Sequence, residues 1–331
     1  MKHCAIITGA NSGVGYGVIQ HLLNQQSNFE DLIIVMACRN ASRANQARDK
    51  LLEEFPHANI EIELVDVGNM ISVFKFCDAI KNKYTSINYL FCNAGILSAI
   101  GINWKQTITM LLLDPVGLIE KADATNQAVG EINENGIGKV FAANVLGHYV
   151  MLRELERLLI NSGDGRVIWA SSITANSSCF NINDWQGIKS VIPYESSKWA
   201  CDLLSVACHE KYQKLNLPIS CFTTSPGVVA SNIGDLPRWI TELRKLLHYI
   251  MRWIGVTSQN ITGYNGAFAD IFVALEPLSN LDYIVRYLAS TDRWGKSFIE
   301  EQCLNIDRAI ANQLEKNCDN IYQSFKKSYC N

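Results

Sequence analysis

The sequence has no apolar run of about 18 residues or more, so no membrane-spanning helix is expected. Its 11 cysteines include no CxxC pair. A strand read from His3 leaves no room for a secretory leader, so free thiols in a reducing compartment are expected rather than disulfides. The 6 histidines form no ligand-spaced cluster with cysteine or carboxylate, which argues against metal catalysis. Positive charge is not in excess either: 29 Lys and Arg against 32 Asp and Glu give a net charge of −3, a poor field for nucleic acid. No repeat, linker or low-complexity segment divides the chain, and residues 1–331 are expected to form one domain.

What is present is a regular alternation of apolar runs and helical patterns. With 48% hydrophobic and 18% charged residues among 331, the chain can bury a sizeable core. The repeated strand–helix pattern predicts an α/β fold, a doubly wound parallel sheet of the Rossmann type. Cys4-Ala5-Ile6-Ile7 reads as a buried parallel strand and runs into Thr8-Gly9-Ala10-Asn11-Ser12-Gly13-Val14-Gly15. Val18, Ile19, Leu22 and Leu23 then mark a helix. The three glycines permit a tight turn and a close backbone approach to a pyrophosphate at the helix N-terminus. The next strand, 31–37, ends in Cys38-Arg39-Asn40. An acidic residue there would bind a ribose 2′-hydroxyl, whereas Arg39, with Arg43 close behind, suits a 2′-phosphate. NADPH is therefore expected, the alternative being an arginine that only caps the sheet edge. Strands at 60–65 and 87–92 follow. Asp66 stands where it could reach an adenine, and Asn93-Ala94-Gly95 is small enough to let a cofactor lie against the strand end.

The chemistry gathers in the second half. Tyr194 and Lys198, four residues apart on a predicted helix, share one face. An ammonium beside a phenol favours the ionised form, which makes the phenol a workable proton donor and acceptor near neutrality. A strand at 165–170 ends in Ser171-Ser172, where a hydroxyl can bond a substrate carbonyl and its developing oxyanion. After a strand at 219–224 comes the turn Pro226-Gly227-Val228.

Together, TGxxxGxG, NAG, a serine after a later strand and YxxxK resemble the short-chain dehydrogenase/reductase family over most of the chain to about residue 230. The resemblance implies that Ser172, Tyr194 and Lys198 are catalytic. It implies that Asn144, in a helix expected around 137–159, holds a water between the lysine and solvent. It also implies that Pro226, Gly227 and Val228 face the nicotinamide, with Ser231 where a threonine is common, and that a last parallel strand lies near 293–299. Two segments depart from the family pattern, an irregular apolar stretch at about 96–135 and an insertion within about 173–190. The second is read as part of the substrate mouth, and it leaves Ser171 and Asn181 as rivals to Ser172.

The runs Ala37–Asn40, Asn144–His148 and Lys198–Ala207, together with Tyr264–Ala267 and a long C-terminal helical extension, resemble the steroid-reductase branch of that family. Within it the likeness is to the 3-keto-steroid reductases of sterol C-4 demethylation. That implies NADPH-dependent reduction of a 3-keto sterol to the 3β-hydroxysterol, with estrone-like 17-ketones as further substrates. It also implies other sterol-pathway enzymes as partners and a homodimer through helices flanking YxxxK; a sterol's entry from lipid, with the amphipathic helix at about 237–255, points to the endoplasmic-reticulum surface as the site. The rivals are a retinol or other lipid-carbonyl reductase, and a non-catalytic NADPH-binding scaffold, which would have no need of Ser172, Tyr194 and Lys198.

An amphipathic helix is predicted at about 237–255. Trp239, Ile240, Leu243, Leu246, Leu247, Ile250 and Ile254 fall on one face; Arg238, Arg244, Lys245, His248 and Arg252 fall on the other. A basic amphipathic helix with tryptophans reads as a membrane-surface anchor. It reads equally as a substrate lid packed on the protein's own core, or as a dimer contact.

Overall fold

The computed structural model describes residues 3–25, 31–114, 116–117, 125–229 and 238–330, with the backbone alone at 111 and 238–245. The first βα units form as the apolar runs dictate. β1 (His3–Thr8) and β2 (Leu32–Cys38) are buried on both faces, which is why they read as nearly continuous apolar sequence. β3 (Asn59–Leu64) lies at the sheet edge, and Ile60 and Ile62 alternate with Glu61 and Glu63 along it. α1 (Gly13–Gln25), α2 (Ala41–Glu54) and α3 (Met70–Lys83) connect these strands and β4 (Tyr89–Cys92). Asn40 caps α2 by accepting from the Arg43 N–H, and Asn69 caps α3 through Ser72.

Three more parallel strands complete the sheet: β7 (Gly165–Ala170), β8 (Ile219–Ser225) and β11 (Val285–Thr291). The order is β12-β11-β8-β7-β4-β1-β2-β3, and β12 (Ser297–Cys303) runs antiparallel to β11. The order reverses beside β1, and that crevice at the carboxyl ends is where open α/β sheets bind ligands. One apolar core lies between the sheet and α3, the helix Gly147–Asn161, the Tyr–Lys helix Pro193–Lys214 and the C-terminal helix Arg308–Cys330. The other lies under α1, α2 and the helix Phe268–Leu275.

The structure corrects the sequence reading in two places. The last parallel strand is β11, upstream of the expected segment; residues 293–299 hold the turn and the start of β12. Residues 293–294 form the turn out of β11, and the apolar Phe298 and Ile299 belong to antiparallel β12. The stretch at 96–135, expected to be irregular, carries a two-stranded ribbon, β5 (Ala99–Ile102) with β6 (Thr125–Gln127), and a helix, α4 (Trp104–Leu113).

The C-terminal helix lies along the outer faces of Gly147–Asn161 and the Tyr–Lys helix. Tyr149 and Lys211 both donate to the Glu315 carboxylate, at 2.7 and 2.6 Å, and the Tyr322 hydroxyl donates to Glu154 at 2.7 Å. Burial pushes the thiols of Cys4, Cys201 and Cys208 up to about 12, so they pack as small apolar groups.

A buried polar contact ties the Tyr–Lys helix to β11. Asp202 on that helix and Arg286 on β11 form an ion pair with both side chains fully excluded from solvent. Arg286 also donates to the Ala175 carbonyl and to Gln302, each at 3.0 Å, while Ser171 donates to Asp202 at 2.9 Å. Removing one partner leaves an uncompensated buried charge. Asp202→Ala is expected to destabilise the protein by about 3–5 kcal/mol, and Asp202→Leu/Arg286→Met to recover most of that loss. Urea unfolding of the three proteins measures both effects.

Candidate active site

The loop after β1 turns on left-handed glycines, Gly9 at φ +67° and Gly13 at φ +58°. A Cβ at Gly15 would come within 2.7 Å of both the Gly9 carbonyl and Asn93 Nδ2, so the loop can close on β4 only with glycine there. A Cβ at Gly13 would meet nothing within 4 Å: this point faces open space at the start of α1. Asn11 is half-buried, Ser12 is exposed, and the Ser12 carbonyl accepts from Tyr16 N–H as α1 begins; Val14 packs against the α1-side core.

Thr8 joins this loop to the next strand end. Its hydroxyl oxygen accepts from the N–H groups of Asn93 and Ala94, both at 2.9 Å, while Asn93 Nδ2 donates to the Thr8 carbonyl at 2.8 Å. His148 Nε2 lies 2.9 Å from the same hydroxyl, and Nδ1 lies 3.3 Å from the Asn144 carbonyl. Burial drives the His148 imidazole down to about 4, so it is neutral at physiological pH. The Asn144 carbonyl can only accept, which puts the imidazole proton on Nδ1; Nε2 and the Phe91 carbonyl, 3.1 Å from the hydroxyl, then share the single Thr8 proton. Nothing in the spacing of the sequence pairs His148 with Thr8; the sheet does.

The four residues expected to be catalytic come from three elements. Lys198 is 5% exposed; its Nζ donates to the Ala170 carbonyl at the end of β7 (2.7 Å) and lies 5.6 Å from the centre of the Tyr194 ring. The helix supplies that stacking through its four-residue spacing. The two serines after β7 diverge. Ser171 is buried and bonds Asp202 and the Lys198 carbonyl, while Ser172 is half-buried beside Thr174 Oγ1 at 2.9 Å. Asn181 caps a short turn by accepting from Asn183 N–H. Trp185, from the same insertion, packs edge-on against Phe141 at 5.1 Å.

Asn144 sits in a π-helical turn, Ala142–Leu146, buried in the helix that follows α4 and β6. Its side chain is a clamp: Oδ1 accepts from Ile96 N–H at 2.7 Å, and Nδ2 donates to the Ile96 carbonyl and to Ser197 Oγ. A Cβ at Gly95 would stand 3.0 Å from Asn144 Oδ1 and 3.6 Å from Lys198 Nζ. Glycine at 95 therefore keeps the space between the amide and the ammonium open.

Two further segments frame the crevice. Arg39 is exposed, and its guanidinium is 4.0 Å from the Asp66 carboxylate, which itself accepts from Gly68 N–H. Gly227 is left-handed at φ +62°, and a Cβ there would strike the Ser258 carbonyl at 2.6 Å. Val228 N–H donates to that carbonyl, within the small ribbon β9 (Val228–Val229) and β10 (Gln259–Ile261), and Asn260 donates to the Pro226 carbonyl. Ser231 lies outside the described residues. These features suit a dinucleotide: an open helix N-terminus at Gly13, small residues at 93–95, an ammonium at 198 and a guanidinium at the end of β2. Among the described residues no three His, Cys, Asp or Glu side chains converge as metal ligands would.

Sequence reasoning missed Gln127, Asp202 and Arg286. Gln127 Oε1 accepts from the Tyr194 backbone N–H at 2.9 Å across a separation of 67 residues. No local pattern signals such a contact.

Comparison with known proteins agrees with this geometry. The family model for short chain dehydrogenase matches residues 3–236. The chain is 32% identical over 320 residues to the 3-keto-steroid reductase/17-beta-hydroxysteroid dehydrogenase 7 of Rattus norvegicus, covering 96% of this chain and 94% of the relative. It is 28% identical to the 3-keto-steroid reductase erg27 of Schizosaccharomyces pombe, covering 98% and 97%. Among solved structures, L-sorbose reductase of Gluconobacter frateurii, complexed with NADPH and L-sorbose, superposes with a TM-score of 0.61 at 18% identity, covering 88% of this chain and 95% of that one. Salutaridine reductase of Papaver somniferum gives 0.59 at 18% identity, covering 83% and 96%. These two share the fold. With its β1 glycine loop, its NAG strand end and its stacked Tyr194–Lys198 pair, the chain belongs to the short-chain dehydrogenase family and is an oxidoreductase that uses a nicotinamide cofactor.

Proposed function

We propose that the protein reduces the 3-keto group of a sterol to the 3β-alcohol with NADPH, and that estrone-like 17-ketones are secondary substrates. The observation that carries the chemistry is the Lys198 ammonium held against the Tyr194 ring at the open end of β7. The substrate class follows from relatives named 3-keto-steroid reductase that align over nearly the whole chain. The nicotinamide supplies a hydride to the carbonyl carbon when bound. Ser172 Oγ and Tyr194 Oη donate hydrogen bonds to the ketone oxygen and orient it. As negative charge grows on that oxygen, Tyr194 gives up its phenolic proton, and the hydroxysterol leaves. Lys198 offsets the charge left on the phenolate, and Asn144 ties the loop at Ile96 to the helix that carries both residues.

Arg39 supports the choice of NADPH. It is exposed at the end of β2, with Arg43 four residues on, and its one ionic neighbour among the described residues is at 4.0 Å. That loose pairing leaves the guanidinium available to a 2′-phosphate.

A sterol enters from lipid, and the helix Arg238–Trp253 fits a membrane surface. Its apolar side chains Leu246, Ile250 and Trp253 are 56%, 46% and 67% exposed, and Ile254 just beyond it is 52% exposed. His248, read from sequence as part of the solvated basic face, is instead buried and bonded to Gln259 at 2.8 Å, with Met251 beside it in the interior. The described half of the helix thus turns its apolar face outward, opposite to a lid packed on the protein's own core. Its first half, including Trp239, Arg244 and Lys245, lies outside the described side chains. No helix among the described residues is long and apolar enough to cross a membrane. A peripheral position on the endoplasmic reticulum, near other sterol-pathway enzymes, accords with this. The C-terminal helix covers the outer side of the Tyr–Lys helix, so a homodimer would pair through another face.

Three outcomes are expected. Tyr194→Phe abolishes NADPH oxidation with zymosterone and with estrone, lowering kcat by about 100-fold or more while NADPH binding followed by fluorescence is retained. Turnover by the variant close to that of the unsubstituted enzyme would sink the assignment. Arg39→Ala weakens NADPH roughly 10- to 100-fold and leaves NADH unchanged, read from the ratio of kcat/KM for the two cofactors. Ile250→Glu/Trp253→Glu loses most of its flotation with phosphatidylcholine–phosphatidylserine vesicles but keeps turnover of detergent-dispersed sterol.

A further inference from the structure

The first turn of the Tyr–Lys helix lacks a local cap. Its N-cap residue is Ile192, which has no side-chain acceptor, and Pro193 at the first helical position has no N–H. The Tyr194 N–H is therefore the first donor left without an intrahelical partner. A residue from a different part of the chain takes it. Gln127, the last residue of β6, accepts this N–H at its Oε1 (2.9 Å) and donates from Nε2 to the Glu195 carboxylate at 2.7 Å. The orientation of the amide follows from its partners, since a backbone N–H can only donate to it and a carboxylate accepts from it. Gln127 and Glu195 are 6% and 4% exposed, so water competes little for either bond.

Gln127 is itself held from outside the helix. β6 pairs antiparallel with β5, with Gln127 opposite Ala99, and the Ala128 N–H donates to the Ser98 carbonyl. Three residues on, Gly130 N–H donates to Ile188 in the second insertion, and Glu131 accepts from Ser98 and pairs with Lys139. The ribbon and the loop before the Tyr–Lys helix thus form one braced unit, and its buried Gln127 amide grips the backbone of Tyr194 and the side chain of its neighbour.

We infer that Gln127 is a positioning residue for Tyr194: the β5–β6 insertion sets where the phenol stands over the crevice. The inference rests on the reading of Tyr194 as the proton donor. A helix N-terminus freed of this bond would fray by a fraction of a turn and carry the phenol with it, and displacement on the ångström scale is enough to impair proton transfer.

The contact can be read without turnover, from amide exchange in protein labelled with 15N-tyrosine. In Gln127→Ala, and in the volume-conserving Gln127→Met, the Tyr194 amide is expected to exchange about tenfold faster, while Tyr149, Tyr212 and Tyr287 keep their rates. In the same variants kcat for the sterol ketone is expected to fall roughly 10- to 100-fold, with the NADPH dissociation constant and the thermal midpoint little changed. The reciprocal swap Gln127→Glu/Glu195→Gln recreates an acceptor for the Tyr194 N–H and a donor–acceptor pair between the two side chains. It should recover the kcat lost in Gln127→Glu alone, where two buried carboxylates face each other, while Glu195→Gln alone keeps both bonds and its kcat. An unchanged Tyr194 exchange rate overturns the inference, as does faster exchange with unaltered kcat, because the bond would then be structural only. A chain that reduces no keto sterol at all would count against the proposed function, and the exchange measurement would still decide whether Gln127 holds Tyr194.

Discussion

A lysine ammonium withdrawn almost completely from water is the constraint on which the rest of this structure turns. A charge in that position is costly unless polar groups replace its hydration. Lys198 has the Ala170 carbonyl at hydrogen-bonding distance and the face of Tyr194 above it. Each neighbour fixes another element: Ala170 ends β7, Tyr194 opens the helix, and Gly95 must lack a side chain so that the loop after β4 can pass close to Nζ. The crevice is the set of positions consistent with keeping that charge in place.

Support for the pair comes from far along the chain. Asp202, one turn beyond Lys198, is anchored by Arg286 on β11, and the same arginine holds the Ala175 carbonyl beyond the two serines. Asn144 fastens the helix to the loop at Ile96, and Gln127 fastens its first turn to the inserted ribbon. The C-terminal helix covers the outer side through Glu315 and Tyr322. The polar links are few and mostly buried, which is where a hydrogen bond or ion pair constrains geometry most. They also join residues 96–135 and 173–190 to the helix that carries Tyr194, the proposed proton donor.

The outward apolar face of residues 246–253 has a different origin. A helix usually buries its apolar stripe, and here His248 and Met251 occupy the buried side while Trp253 and Leu246 face out. On that buried side His248 is bonded to Gln259.

The amino-acid sequence by itself determined the alternation of strands and helices, the glycine loop, the NAG strand end and the Tyr–Lys spacing. These are local signals: apolar periodicity, left-handed glycines and a four-residue helical repeat act within a few residues of themselves. Even Arg39 at the end of β2 was legible, because strand ends place their next residue predictably. Only the tertiary structure decided that Ser171 turns inward to Asp202 while Ser172 stays near the crevice, that His148 bonds Thr8, and that β11 rather than residues 293–299 closes the parallel sheet. It alone put Gln127 on the backbone of Tyr194 and Arg286 on Asp202, contacts spanning 67 and 84 residues. Such pairs leave no periodic trace, because what brings them together is the need of buried polar groups for partners once the sheet has folded.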